Sequence, residues 1–312
     1  MTIASDDITA PAAEPRPAAL AALPWSRLYY WSVRRELWEN RAIYMATVIA
    51  AGVVLLGVLI SVVHPPHLMQ TVRQGSMVMH RPFVIPAVAP YIFATLVITV
   101  TGLVTGVFYS LGALHNERRD RSILFWKSLP VSDLVTVLSK ATLPLVVLPL
   151  VTFAVIVATQ LVMVILGLVF ALVHGQDAGA LFTQVPLLNI WGLLFYGLVT
   201  LALWQAPVWG WLLLVSAWAK RTTFLWAVGP AVGACVVERL AFGTSYLWSL
   251  LQYRVTGGLA VAFTDAPGAH ANTLPMIDAG KFLSTPGLWV GLVFAVAFIA
   301  AAFWLRRRRE PI

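Results

Sequence analysis

Apolar residues in this chain are gathered into long, almost uncharged runs rather than the short alternations of a water-soluble fold. Six runs stand out, at 43–63, 90–111, 143–173, 187–219, 224–242 and 288–305. About 20 helical residues cross the hydrocarbon core of a bilayer, so each run is predicted to be a spanning helix. Pro144 and Pro149 predict a kink near the start of the third, Pro207 a disturbance inside the fourth, and Gly229 with Pro230 a bend in the fifth.

Between these runs the pattern changes. Residues 1–24, rich in Ala and Pro, have no apolar period and are predicted to form a disordered tail. They lack the basic start and apolar core of a signal peptide. At 25–41 an amphipathic helix is predicted, with Ser26 as its cap. Tyr30, Trp31, Val33, Leu37 and Trp38 share one side; Ser32, Arg35, Glu36 and Glu39 share the other. Aromatic anchors directly before a span suit a helix lying in the membrane interface. The segment 243–286 is long for a bare loop, and Tyr246, Trp248, Leu250, Leu251 and Tyr253 predict a short helix there, either a lid or an interfacial anchor.

Composition agrees with this reading. The 312 residues are 60% hydrophobic and 11% charged, against about 25% charged in soluble domains. The fold class is therefore all-α integral membrane, one six-helix domain over 25–309. The single cysteine, Cys235, excludes an intrachain disulfide framework. The net charge of +8 is unevenly placed: of 21 Lys and Arg, sixteen fall on the side of the termini and five on the other. The positive-inside rule then puts both termini in the cytoplasm of a bacterial inner membrane, and anionic lipid accounts for the basicity without nucleic acid.

Candidate chemistry is sparse. Three small-xxx-small pairs, Gly102 with Gly106, Gly229 with Gly233 and Gly287 with Gly291, suit close helix packing. Gln160, Gln205 and Glu238 are the polar residues in or near spans and are candidates for a substrate pathway; a pair of Glu238 with neighbouring Arg239 is the structural alternative. His64, His67 and His80 lack zinc-motif spacing, so no metal site is predicted.

The most charged interior stretch is 116–140. Glu117, Arg118, Arg119, Asp120 and Arg121 precede Ile123, Leu124, Phe125 and Trp126, four large apolar residues that need a surface. Pro130 breaks the first helix and Ser132 is predicted to cap a second. Glu117-Arg118, Ser122-Ile123-Leu124 and Ser128-Leu129-Pro130-Val131-Ser132, ending at Lys140, resemble the coupling segment of ABC-2 type transporter permeases. That segment lies between the second and third of six spans, as here, and the helix at 25–41 is similar to the elbow helix of the family. Arg119, Arg121 and Ser122 stand where the family often has a second acidic residue and a Gly-Thr pair. The resemblance implies an ATPase-docking surface formed by Glu117, Arg118, Arg121, Ile123, Leu124, Phe125, Trp126 and Pro130. It also implies two copies of a separate ATPase subunit carrying ATP and Mg, a second permease chain as homodimer or heterodimer, and export of an amphiphilic or hydrophobic substrate such as a drug, peptide antibiotic or lipid. The chain itself has no GxxxxGK[ST] motif, so it is expected to be a transport subunit and not an enzyme, with no cofactor of its own. The other classes in play are an ATP-independent channel or scaffold and an intramembrane enzyme.

Overall fold

The computed structural model describes residues 24–63, 84–120, 132–173, 186–264 and 275–308. The helices are α1 (Trp25–Glu39), α2 (Ala42–Val63), α3 (Val84–Gly112), α4 (His115–Arg119), α5 (Asp133–Thr142), α6 (Leu148–Val173), α7 (Leu187–Trp204), α8 (Ala206–Trp218), α9 (Thr223–Phe242), α10 (Tyr246–Ala262), α11 (Ala279–Ser284) and α12 (Pro286–Arg308). A two-residue antiparallel pair joins β1 (Phe263–Thr264) to β2 (Met276–Ile277). Among the described residues, six helical stretches are long and apolar enough to cross a membrane. Their outward faces carry large apolar side chains such as Val53, Leu56, Phe93, Phe108 and Val293, the arrangement expected where hydrocarbon is the solvent.

The elements follow the sequence reading with informative differences. α1 begins at Trp25 behind Pro24, and no side chain caps it; Ser26 already lies in its first turn, so the predicted Ser26 cap is corrected. Ser132 does cap α5, its Oγ accepting from Val135 N at 3.3 Å. The third span is continuous from α5 into α6 through a π-helical turn, Leu143–Val147, that takes up Pro144. A π-turn widens the hydrogen-bond spacing by one residue and so accommodates a proline that would otherwise leave a carbonyl unpaired. The predicted fourth span is two helices. Its break falls at Gln205, the C-cap of α7 and N-cap of α8, with Pro207 in the first turn of α8. α9 runs from Thr223 to Phe242 with Pro230 inside it. The 243–286 segment holds much more helix than the short piece predicted, since α10 alone has 17 residues.

α8 is the centre of the bundle. Ala206, Pro207, Trp209, Gly210, Leu212, Leu213, Val215, Ser216 and Ala217 are all buried. Gly210 lets α12 come close, because a Cβ there would lie 3.1 Å from Ala295 O. Gly102 and Gly106 likewise receive Thr152, Leu148 and Trp209, so this pair packs helices as predicted. The other two pairs differ. Gly229 and Gly233 have no neighbour within 4 Å, whereas Gly287 receives the Tyr253 and Trp204 side chains and Gly291 the Arg254 side chain. The Arg254 guanidinium donates to Gly287 O at 3.3 Å and stacks 5.0 Å from the Trp204 ring.

Candidate functional site

At the end of the bundle that carries α1, four elements meet around buried charge. Lys140, near the end of α5, is 3% exposed. Its Nζ lies 2.8 Å from Glu36 Oε1 of α1 and 2.9 Å from Glu117 Oε1 of α4. The Arg306 guanidinium, from the last turns of α12, pairs with the other oxygen of Glu117 and, at 3.1 Å, with Asp133 of α5. Arg35 adds a contact to Glu36 at 3.1 Å and one to Glu39 at 3.5 Å. Tyr109 OH donates to Glu36 Oε2 at 3.3 Å. Charges removed from water are stable only when paired and hydrogen-bonded, and this hub meets that condition with charged partners from α1, α4, α5 and α12 and the Tyr109 hydroxyl of α3.

Glu39 adds a further carboxylate to the described hub. Glu39 is half-exposed at the rim, and burial, reinforced by the nearby Glu36 charge, pushes its carboxyl above the ordinary glutamate range; Arg35 and Lys140 oppose this incompletely.

A second set of contacts fixes α4 to the centre of the bundle. Ser216 Oγ accepts from Leu114 N at 2.9 Å and His115 N at 3.0 Å. The His115 imidazole Nδ1 lies 3.1 Å from Ala219 O, and Arg118 Nη1 donates to Ala217 O at 2.7 Å. The C-terminal carbonyls of α8 have no partners within their own helix, and a basic residue and a histidine from α4 supply two.

The residues named from sequence are distributed as follows. Glu117 and Arg118 are buried and engaged in these internal contacts. Arg121, Ile123, Leu124, Phe125, Trp126 and Pro130 lie outside the described residues, as do the tail at 1–23 and His64, His67 and His80. Gln160 is fully buried and bridges three helices: its Nε2 donates to Thr95 Oγ1 at 3.0 Å, and its Oε1 accepts from Trp191 Nε1 at 2.8 Å. Gln205 lines a small cavity at the α7–α8 break. Glu238 caps α10: Oε1 accepts from Tyr246 N at 2.7 Å and Thr244 Oγ1 at 2.8 Å, and Oε2 from Leu247 N at 2.8 Å. Arg239 turns instead to Gly243 O. The three polar residues are therefore not brought together.

Sequence reasoning missed Glu36, Asp133 and Arg306 as partners. Glu36 was legible only as one polar position on α1, yet it faces the protein while Trp25, Tyr30, Trp31 and Trp38 of the same helix stay exposed. Arg306 was hidden in a basic run whose obvious role is topological. The available signal was opposite charge at the ends of neighbouring spans, where each carboxylate needs a cation.

The chain matches no protein-family model, no curated protein and no solved structure. Fold and composition define it as a multi-pass helical membrane protein.

Proposed function

We propose that the chain is the transmembrane subunit of an ABC-2 type exporter, driven by ATPase subunits that dock on 116–140 from the cytoplasm. The observation that carries the reading is the placement of the permease-like motif between the second and third spans. The hub gives that motif mechanical consequences. The motif begins at Glu117 and ends at Lys140, and these two side chains are ion-paired to each other. Lys140 continues to α1 through Glu36, and Glu117 to α12 through Arg306. A load applied to residues 121–131 is therefore delivered to α3, α5, α1 and α12 together, because both ends of the loaded segment are anchored in one buried network.

In this reading Trp126 and its apolar neighbours contact the ATPase, and α1 is the elbow helix lying in the interface. Glu117 and Arg118 act from inside, holding the docking segment to the spans. A second permease chain completes the pathway. α9 suits that contact, because it is the least buried of the six spans, at 11%, and its Gly229 and Gly233 face open space. ATP with Mg is bound by the partner.

The test is co-purification of the full chain from its own membrane, followed by assay of ATP hydrolysis. A P-loop ATPase that co-purifies with the wild-type chain and is released by Trp126→Asp supports the proposal. A chain that carries no nucleotide-hydrolysing partner, with Trp126→Asp indistinguishable from wild type, makes it an ATP-independent channel or scaffold instead.

A further inference from the structure

At the other end of the bundle from the hub, a cavity of about 420 Å³ lies between α3, α7 and the α10–β1 segment. Its walls include Ile92 and Leu96 of α3, Leu193 and Leu198 of α7, and Leu259 and Phe263 beyond them. Among the described residues its lining holds no charged side chain, and the polar ones are Thr95 and Thr99. The Thr95 hydroxyl is already engaged, donating to Tyr91 O at 2.9 Å while accepting from Gln160. The Thr99 hydroxyl is buried and has no hydrogen-bond partner, so it is the one side-chain polar atom of the described lining left unsatisfied.

We infer that this cavity binds a single hydrocarbon chain, the acyl chain of a bilayer lipid. Three observations carry the inference. The described lining is apolar apart from Thr95 and Thr99, so a polar group placed there would lose its hydrogen bonds with water and regain at most one, from Thr99. From Val88 to Thr99 the cavity follows α3 over eleven residue steps, roughly 16 Å at 1.5 Å per residue, about half of the roughly 30 Å hydrocarbon thickness and so the depth of one leaflet. Its volume lies in the usual range for ligand pockets, about 300–1,000 Å³, and at about 30 Å³ per water-sized group it takes roughly a dozen carbons. Ile92 and Leu96 are also exposed on the outer face of α3, so the cavity opens toward the bilayer, where chains are abundant. The inference does not depend on an ATPase, and its test does not involve one.

The full chain is reconstituted in nanodiscs containing a small fraction of phosphatidylcholine with a diazirine near the end of one acyl chain. After irradiation, labelled positions are mapped by peptide mass spectrometry. The outward face of α2, which exposes Val53, Leu56 and Ile60, gives the bulk-lipid reference. Label on residues 88–99 and 190–201 should exceed that reference several-fold, and Ile92→Trp or Leu96→Trp should bring it down to the reference level. Both substituted residues are exposed, so the bundle tolerates the larger ring; a monodisperse elution profile and unchanged α2 labelling verify this. Thr99→Val should leave labelling undiminished, because the occupant makes no hydrogen bond. Labelling spread evenly over the lipid-facing helices, or unchanged by both tryptophan substitutions, overturns the inference. Loss of labelling in Thr99→Val overturns the purely apolar character of the occupant.

Discussion

Replacing Lys140 with Met tests the hub at its centre. Lys140 is the shared cation of Glu36, which is 1% exposed, and Glu117, which is 9% exposed. Methionine preserves much of the side-chain length and apolar volume, so the change removes charge with little loss of packing. Breaking a buried pair by deleting one partner costs about 3–5 kcal/mol, because the remaining ion is left uncompensated. Here the lower end applies. Glu117 keeps Arg306, and Glu36 keeps Arg35 and the Tyr109 hydroxyl. A loss of about 3 kcal/mol, at roughly 2–4 °C per kcal/mol for large domains, lowers the unfolding midpoint by about 6 °C or more. The assay is thermal unfolding of the purified chain in detergent, followed by tryptophan fluorescence. The reasoning makes a sharper demand on the double variant: adding Glu36→Gln to Lys140→Met should recover most of the loss, since the orphaned carboxylate is then gone. A single variant that melts with the wild type, or a double variant less stable than the single, would refute the claim that uncompensated buried charge dominates this site.

Other outcomes follow from neighbouring features. Because the folded-state pKa of Glu39 is raised, the folded chain holds its proton more tightly than the unfolded one, and stability falls as pH rises from the ordinary glutamate range through the raised value. Glu39→Gln should therefore raise the midpoint at neutral pH and lose that advantage in acid, as a pH series of melting curves would reveal. Gly258→Ala should destabilise by about 1–3 kcal/mol through overpacking, since its Cβ would lie 2.6 Å from the buried Trp204 ring. Within a single chain Gly229→Ala meets nothing within 4 Å, so in the monomeric chain it should be neutral or stabilising by up to ~1 kcal/mol; the same melting assay, run on the monomer, compares the two. Glu238→Ala removes three hydrogen bonds at the start of α10 and should cost about 1–2 kcal/mol, with hydrogen exchange rising first at the amides of Tyr246 and Leu247.

What the sequence revealed tracks the physics of each feature. The spans were legible because lipid demands uninterrupted apolar length; most observed ends fall within three residues of the predicted ones, but α3 begins six residues early, at Val84, and the third helical stretch ten residues early, at Asp133. The division of the fourth run at Gln205 was only half-visible through Pro207, because an apolar run does not record where its backbone turns. α10 was underestimated because its sequence beyond Tyr253 mixes Arg254, Thr256 and two glycines, which reads as loop until Gly258 is seen admitting Trp204. The same limit applied to Gly287 and Gly291: small residues announce close approach but not which side chains, here Tyr253, Trp204 and Arg254, will fill the space. At the hub, Glu117 and Lys140 were visible as ends of one motif. Their convergence with Glu36 and Arg306 was not, since it depends on which span ends meet in three dimensions.

The central claim is that residues 116–140 receive force from an ATPase and pass it to the spans. Its most direct test is the ATP hydrolysis of the co-purified complex, measured for wild type, Trp126→Asp and Glu117→Gln. The account predicts that Trp126→Asp releases the ATPase, whereas Glu117→Gln retains it bound but with transport uncoupled from hydrolysis, because the buried carboxylate works behind the docking surface. A chain purified without any ATPase, or a complex whose hydrolysis and transport are unaltered by both substitutions, would contradict it.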